Sequence, residues 1–469
     1  MERRRVGACK LRIESTERAE TAWTGKPEGK SFFVALYLAF LLTLTVYQDF
    51  PLVNRIGEIG RSPVILLLPW FLLCEIAMLA KYKKVTRATK LQKYLLAFIL
   101  YLSFVSLAYV LFQFLQGSYS FGSENLLVKA AKVLIYFVLI LLYIRHMQLV
   151  FSKVKSGKTL YVCFFAVVTL LLAIMIVELI AIPNAFASLH SGSHPYWRVR
   201  LLTSESSTTG SVIVVYGAIL AYLSRCLNGA AKTLSFAYVA GFFLFYTSVT
   251  GSKGFLVVCL LTLIVTMIKF LDFRKKKNFL LLLAGATAAY GFIASFSDSV
   301  IGSFSNDIEN YTSSYTRMGT ILIALATVAH HPFGVGTGAY LTYFDRYMDE
   351  AIGMMSRFYY DAMGISQINA GELLRYSDTA KNLGVKSGFF QWVMFGGIIS
   401  VVFFCLLARN LIVKAKSSSI LFPALIFVLL TLLFVALEIK YEIWLLFAFI
   451  SFYAGRNEIG ENTMRRTAK

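Results

Sequence analysis

The sequence predicts an all-α, polytopic membrane protein of about twelve transmembrane helices, on three observations. Hydrophobic residues fill 58% of the 469 positions and the mean hydropathy is +0.67, an apolar excess with no place in a soluble globule. Apolar runs close to the roughly 20 residues that cross a bilayer recur along the chain. The basic residues, which give a formal net charge of +21, fall almost entirely in alternate loops.

The apolar runs lie at about 31–48, 62–80, 94–116, 126–144, 159–182, 210–224, 233–249, 254–270, 279–296, 387–408, 420–437 and 442–455. One set of loops carries Arg3, Arg4, Arg5, Lys10 and Arg12, then Lys81 to Lys93, Arg145 to Lys158, Arg274 to Lys277, and Arg409, Lys414 and Lys416. The positive-inside rule makes that side cytoplasmic, together with both termini, and puts 183–209 and 297–385 outside. Residues 1–30 form a cytoplasmic tail, 31–455 one membrane domain and 456–469 a second tail. Residues 1–30 lack the apolar core of a signal peptide, so the first span is expected to direct insertion. No basic stretch is interleaved with stacking aromatics on a soluble module, which argues against a nucleic-acid partner; the bilayer is the expected one.

The six cysteines sit in the inner tail, in helices or at an inner helix end, with no CxxC spacing, so neither disulfides nor a metal site is expected. Between the ninth and tenth spans lies the long outer loop 297–385. Its stretch YLTYFDRYMDEAIGMMSRFYYDAMG sets Tyr340, Phe344, Tyr347 and Met348 against Asp345, Asp349 and Glu350 at helical spacing. That pattern fits amphipathic helices capping an outer cavity, or a loop whose aromatics anchor in headgroups.

Candidate chemistry comes from cations on the wrong side of the topology rule: Lys129, Lys132, Arg198, Arg200, Lys253, Arg317 and Lys386. A cation at mid-bilayer costs about 2.5–3.5 kcal/mol on insertion scales, so one within a helix, such as Lys132, needs an anion. Glu178 is an internal candidate; singly, each cation also fits an ion pair or a snorkelling side chain. As a group they fit a bound anion. Arginine suits a diphosphate because its planar fork offers paired donors at any physiological pH, and donors already in place stabilise the charge that develops as the leaving group departs.

The densest segment is Arg317 to Gly338, RMGTILIALATVAHHPFGVGTG. Its apolar middle, Ile321 to Ala329, is too short to cross a bilayer and reads as a helix at or dipping into the interface. Pro332 ends that helix and fixes the turn carrying His331, whose ordinary pKa near 6.5 suits a general base on a sugar hydroxyl. His330 is its competing neighbour, and Glu205, in RLLTSESSTTG, is the carboxylate alternative. Gly334, Gly336 and Gly338 follow Pro332 without the lysine of a P-loop; they read as a tight turn, which can also offer backbone N–H groups to an anion.

At these residues the chain resembles the bacterial O-antigen ligase and Wzy-type polysaccharide polymerase superfamily. Arg200 with SESS resembles that family's outer-loop arginine before a Glu-Pro-Ser-like turn. TGSKG at 250–254 stands where the family often has Thr-x-Ser-Arg-Gly, and Arg317 with HPFGVGTG is similar to its arginine and His-Pro-x-x-Gly-x-Gly hallmark. The resemblance covers about residues 160–410. It implies a metal-independent, cofactor-free, inverting glycosyltransferase of the bacterial cytoplasmic (inner) membrane, facing outward. Undecaprenyl-diphosphate-linked oligosaccharides would be donor and acceptor, and a chain-length regulator a further partner. Arg200 and Arg317, with Lys253, Arg198 and Lys132, would bind diphosphate; His331 or Glu205 would be the base.

Lys253 replaces the family's arginine and loses the bidentate fork, and no proline follows Glu205. The ligases carry a His-Asn pair at a place that aligns near Val385 to Ser387, where this chain has none. That favours a polymerase of O-antigen, capsule or exopolysaccharide repeat units over a ligase acting on lipid A core. A lipid-linked oligosaccharide flippase is the reading from another class, since about twelve spans without a soluble domain is also a transporter's plan.

Overall fold

The structure is a computed structural model, describing residues 29–82, 89–154, 156–192, 195–271, 287, 312–364, 370–376 and 383–453. Residues 1–28 and 454–469 of the expected tails, the run at 279–296 apart from residue 287, the basic run 274–277 and parts of the expected outer loop lie outside these residues. Among the described residues the chain is helical, apart from one antiparallel pair of two-residue strands, β1 (Ser120–Phe121) and β2 (Glu124–Asn125). Seven helices are long and apolar enough to cross a membrane by length and composition.

Those helices follow the expected runs, with ends set by local chemistry. α1 covers Gly29–Val46 and α2 Leu68–Tyr82. α3, Lys90–Leu115, starts at a capping box in which Thr89 and Gln92 each satisfy the other's backbone N–H. α4, Leu126–Lys153, is capped by the Asn125 side chain, which accepts from the N–H groups of Leu127 and Val128. α5 (Gly157–Ala181), α6 (Ser206–Leu223), α7 (Gly229–Val249) and α8 (Lys253–Phe270) follow.

Beyond the undescribed stretch, α9 spans Thr312–His330, so the helix expected at Ile321 to Ala329 extends about two and a half turns further toward its N-terminus. The aromatic loop contains two helices, α10 (Tyr340–Arg346) and α11 (Met348–Met363). Tyr340, Phe344 and Met348 are buried while Asp345, Asp349 and Glu350 are exposed, as the spacing predicts. α12 (Gly388–Ala415), α13 (Leu421–Phe434) and α14 (Tyr441–Tyr453) complete the order.

The chain divides into two compact units, interleaved in sequence. The first takes residues up to Ala80, Leu142–Ser252 and the segment from Tyr441; in it α5 lies between α1 and α6, and α7 packs on α6. α6 is buried on nearly every face and forms the centre of that unit. The second takes Lys81–Leu141 and Lys253–Lys440; here α9 packs on α11 and α12, and α12 on α3 and α13. α12 is broken in its middle, where Gly397 leaves helical geometry at φ +59°.

Candidate functional site

In the first unit, the loop between α5 and α6 carries Arg198, Arg200 and Glu205. It is fastened from two directions. The Glu178 carboxylate on α5 accepts from the backbone N–H of Arg200 at 2.9 Å and of Leu201 at 2.7 Å. Leu201 has φ +50°, a left-handed conformation costly for a branched residue and held here by those bonds. Glu178, expected as a partner for outer cations, gives its oxygens to backbone donors, while the charge of Arg200 also acts on it.

The segment after α1 fastens the other side. Asp49 accepts from the Ser191 hydroxyl at 2.5 Å and its N–H at 3.3 Å, pairs with His190 Nδ1 at 2.9 Å, and lies 3.5 Å from Arg61. Burial pushes the Asp49 carboxyl up, but the hydrogen bonds from His190 and Ser191 outweigh it and hold the group below the usual carboxylate range. The His190 side chain is wholly buried, and its Nε2 has no hydrogen-bond partner among the described residues. Asn54 donates to the Ser191 carbonyl at 2.8 Å, and the Gln48 N–H to that of Leu202 at 2.9 Å.

So held, Arg200 is only 7% exposed. Its guanidinium lies 4.8 Å from the Tyr196 ring centroid, and the Tyr196 hydroxyl is fixed by the Ser206 N–H at 2.8 Å. No carboxylate forms an ion pair with this guanidinium among the described residues. Arg198 and Glu205 are exposed; Glu205 is the N-cap residue of α6 and accepts from the Ser207 hydroxyl at 3.1 Å.

The second unit holds Lys132, Lys253, Arg317 and His331. Lys132 lies 4.0 Å from Glu124, a half-exposed pair, and Lys253 is the half-buried first residue of α8. Arg317 donates to the Phe434 carbonyl at 2.8 Å, capping the C-terminus of α13 with one of its five N–H groups. Beside it Thr316 donates to Glu372 at 2.9 Å, and the Lys386 N–H donates to Thr320 at 3.1 Å.

His331 stands at the other end of α9. Its Nδ1 is 3.1 Å from the Tyr109 hydroxyl, its Nε2 3.1 Å from that of Tyr347, and the Tyr343 ring meets its edge at 4.6 Å. His330 stacks on Tyr347 at 4.9 Å and reaches Glu350 at 3.3 Å. Burial first, then His330 and Arg346, press the His331 pKa below its ordinary value, so the ring is neutral at pH 7. A neutral imidazole between two phenols donates through one nitrogen and accepts through the other. With Tyr347 donating to Nε2, a substrate hydroxyl can pass a proton to His331 through the Tyr347 oxygen.

The glycine turn after Pro332 does not cradle an anion. Its donors are taken: Gly334 N–H by the His331 carbonyl, Val335 and Gly336 by the carbonyls of Met394 and Phe395 in α12, and Thr337 by the Ser106 hydroxyl. In return Ile398 donates to the Pro332 carbonyl at 2.9 Å. The turn thus fills the break at Gly397. Gly334, Gly336 and Gly338 are needed because a Cβ would lie 2.4 Å from Phe395 O, 2.5 Å from Ser106 Cα and 2.4 Å from Leu126 O.

Arg317 and His331, both expected at one reaction centre, are far apart. The His331 N–H still donates to the Thr327 carbonyl, so regular helix joins the two residues. Fourteen residues, 317 to 331, at about 1.5 Å rise place their backbones roughly 20 Å apart. Sequence reasoning passed over Asp49, His190, Tyr109 and Glu372, and took Tyr347 only as part of an aromatic helix face. It also passed over Glu442, wholly buried and accepting from Ser211 at 2.7 Å and from Gln48. A carboxylate within the last apolar run was the available signal for Glu442. No protein-family model matches the chain, and no curated protein matches it.

Proposed function

We propose that the protein is a Wzy-like polymerase, joining lipid-diphosphate-linked oligosaccharide repeat units by inverting glycosyl transfer on the outer face of a bacterial cytoplasmic membrane. The observation that carries this reading is Arg200. A guanidinium buried to this degree, set on an aromatic ring, with no carboxylate within ion-pair distance among the described residues and only the more distant Glu178 charge acting on it, supports an anion site. Its backbone is fixed by Glu178, so the donor fork is organised before an anion arrives. A diphosphate matches that fork and leaves from carbon more readily once gripped. Within the second unit, taken by itself, the neutral His331 in its phenol cage is a proton acceptor of the kind a sugar hydroxyl needs. The resemblance at Arg200, TGSKG and HPFGVGTG supports the same assignment, with about twelve spans and both termini cytoplasmic.

The break in α12 does not favour the flippase. Transporters use such breaks to expose backbone groups to cargo, whereas here residues 332–336 occupy them. The test is purified protein in vesicles supplied with its native lipid-diphosphate repeat unit, without nucleotide or added metal. Lengthened product is expected, and Arg200→Ala should abolish it in folded protein, with Arg200→Lys rescuing poorly. Movement of the lipid-linked sugar across the vesicle without a change in length would replace this reading with the flippase.

A further inference from the structure

Arg317 and His331 cannot serve one reacting carbon. In glycosyl transfer the attacked carbon is bonded directly to the leaving diphosphate, and a general base works within about 3 Å of the attacking hydroxyl or through one intervening group. A clamp and a base of the same centre therefore bring their side-chain tips within a few ångströms of each other, whereas Arg317 and His331 leave backbones roughly 20 Å apart in nearly the same direction and Arg317 is turned to Phe434.

Two lipid-diphosphate-linked molecules take part when repeat units are joined, and only one loses its carrier. The other keeps its diphosphate and reacts through a hydroxyl at the far end of its oligosaccharide. On that molecule a diphosphate and a reacting hydroxyl are separated by the whole repeat unit. Arg317 and His331 are separated in the same way, and almost four helical turns lie between them, so the two side chains leave α9 in nearly the same direction. On that same face Ile321 and Val328 are half-buried and Ala324, midway between the two ends, is wholly buried. Arg317 has four N–H groups beyond the one spent on Phe434.

We propose that α9 measures the acceptor: its Arg317 end holds the carrier diphosphate of the incoming repeat unit, and its His331 end receives the proton of the hydroxyl at that molecule's far end. This rests on the polymerase reading above. In the step itself the acceptor oxygen bonds to the donor's anomeric carbon, and the carbon–oxygen bond to the donor's diphosphate breaks with its electron pair going to that diphosphate. The acceptor proton passes to the Tyr347 oxygen as the Tyr347 proton passes to His331 Nε2, leaving an imidazolium.

The experiment separates the two substrates. A donor blocked at its far-end hydroxyl cannot accept, and an acceptor joined to its diphosphate through a methylene cannot donate. Wild-type protein is given the blocked donor and a graded series of such acceptors, each one sugar longer than the last. The rate should peak at the native repeat-unit length and fall at least tenfold on acceptors a sugar or two shorter. Arg317→Ala should raise the acceptor KM at least tenfold, leave the donor KM unchanged and flatten the length preference. A flat length profile in the wild type, or an Arg317→Ala effect on the donor KM instead, overturns the measuring role while leaving the polymerase reading intact. Failure of the wild type to join native substrates at all removes both. The wild-type length series decides even if Arg317→Ala does not fold.

Discussion

The carboxylate of Glu178 holds the backbone of Arg200, not its side chain: the Arg200 N–H lies 2.9 Å from one oxygen, and that of Leu201 2.7 Å from the other. The guanidinium is thereby left to Tyr196 and to whatever anion reaches it. Glu178→Ala strands two buried N–H groups and releases the left-handed Leu201, at a cost of about 3 kcal/mol. A lowered unfolding temperature should accompany a loss of chain extension close to that of Arg200→Ala, although Arg200 itself is unchanged. Full activity in Glu178→Ala would show that this anchorage does not position the guanidinium.

The glycine turn makes a contrast in cost. Gly336→Ala puts a Cβ 2.5 Å from Ser106 Cα, and Gly397→Ala one 2.0 Å from the Pro332 carbonyl oxygen, each at positive φ. Each should cost about 3 kcal/mol or more through strain and overpacking. Gly251→Ala has the same left-handed strain, at φ +55°, but open space around it, and should cost only about 1 kcal/mol. Thermal unfolding in detergent ranks the three, and equal losses would refute the packing account.

Protonation of His331 has a definite sign. Its pKa lies below 6.5 in the folded protein, so the base is available at neutral pH and the acid limb of chain extension falls below pH 6.5. The folded state binds this proton less readily than the unfolded chain does. Its contribution to stability is therefore present above pH 6.5 and is lost as pH falls through the lowered value. Besides Tyr109, Tyr343 and Tyr347, the groups facing the ring are His330, Arg346 and, through His330, Glu350. Arg346→Gln removes one repelling cation and should move the acid limb up; a limb that stays put would show that another group titrates.

Asp49 is the joint through which the first unit grips the loop between α5 and α6. Asp49→Ala leaves buried His190 without its carboxylate, while Arg61 keeps Glu58, and should cost about 3 kcal/mol. Its folded pKa is depressed, so the stabilisation is complete above the ordinary value of 3.8 and vanishes as pH falls through the folded one. The unfolding temperatures of wild type and Asp49→Ala should therefore converge on acidification. A constant gap down to about pH 3 would show that the aspartate acts by shape alone.

Periodicity and apolar length made the helices legible, because both are local. Thr89 with Gln92 and the spacing of Tyr340, Phe344 and Met348 state their outcome within a few residues. The site was legible only as residue types. Arg317 and His331 are neighbours in a motif, yet helix geometry separates them, and the sequence does not display rise per residue as distance. Asp49 meets His190 across 141 positions and Tyr109 meets His331 across 222, pairings that no local pattern encodes. The glycines announced a tight turn; that its donors were already spent on α12 depended on a break at Gly397 formed some 60 residues later.

That break also orders biogenesis. The ribosome delivers residues 332–336 before α12, so the patch exists before the segment it completes. Until the two meet, Met394, Phe395 and Ile398 present bare peptide groups at membrane depth, where hydrocarbon offers them nothing. Helix α12 therefore settles into the bilayer only together with the turn that mends it, and a chain from which residues 332–336 alone are deleted should be recognised as unfinished by the cell's quality control even though every spanning segment is intact.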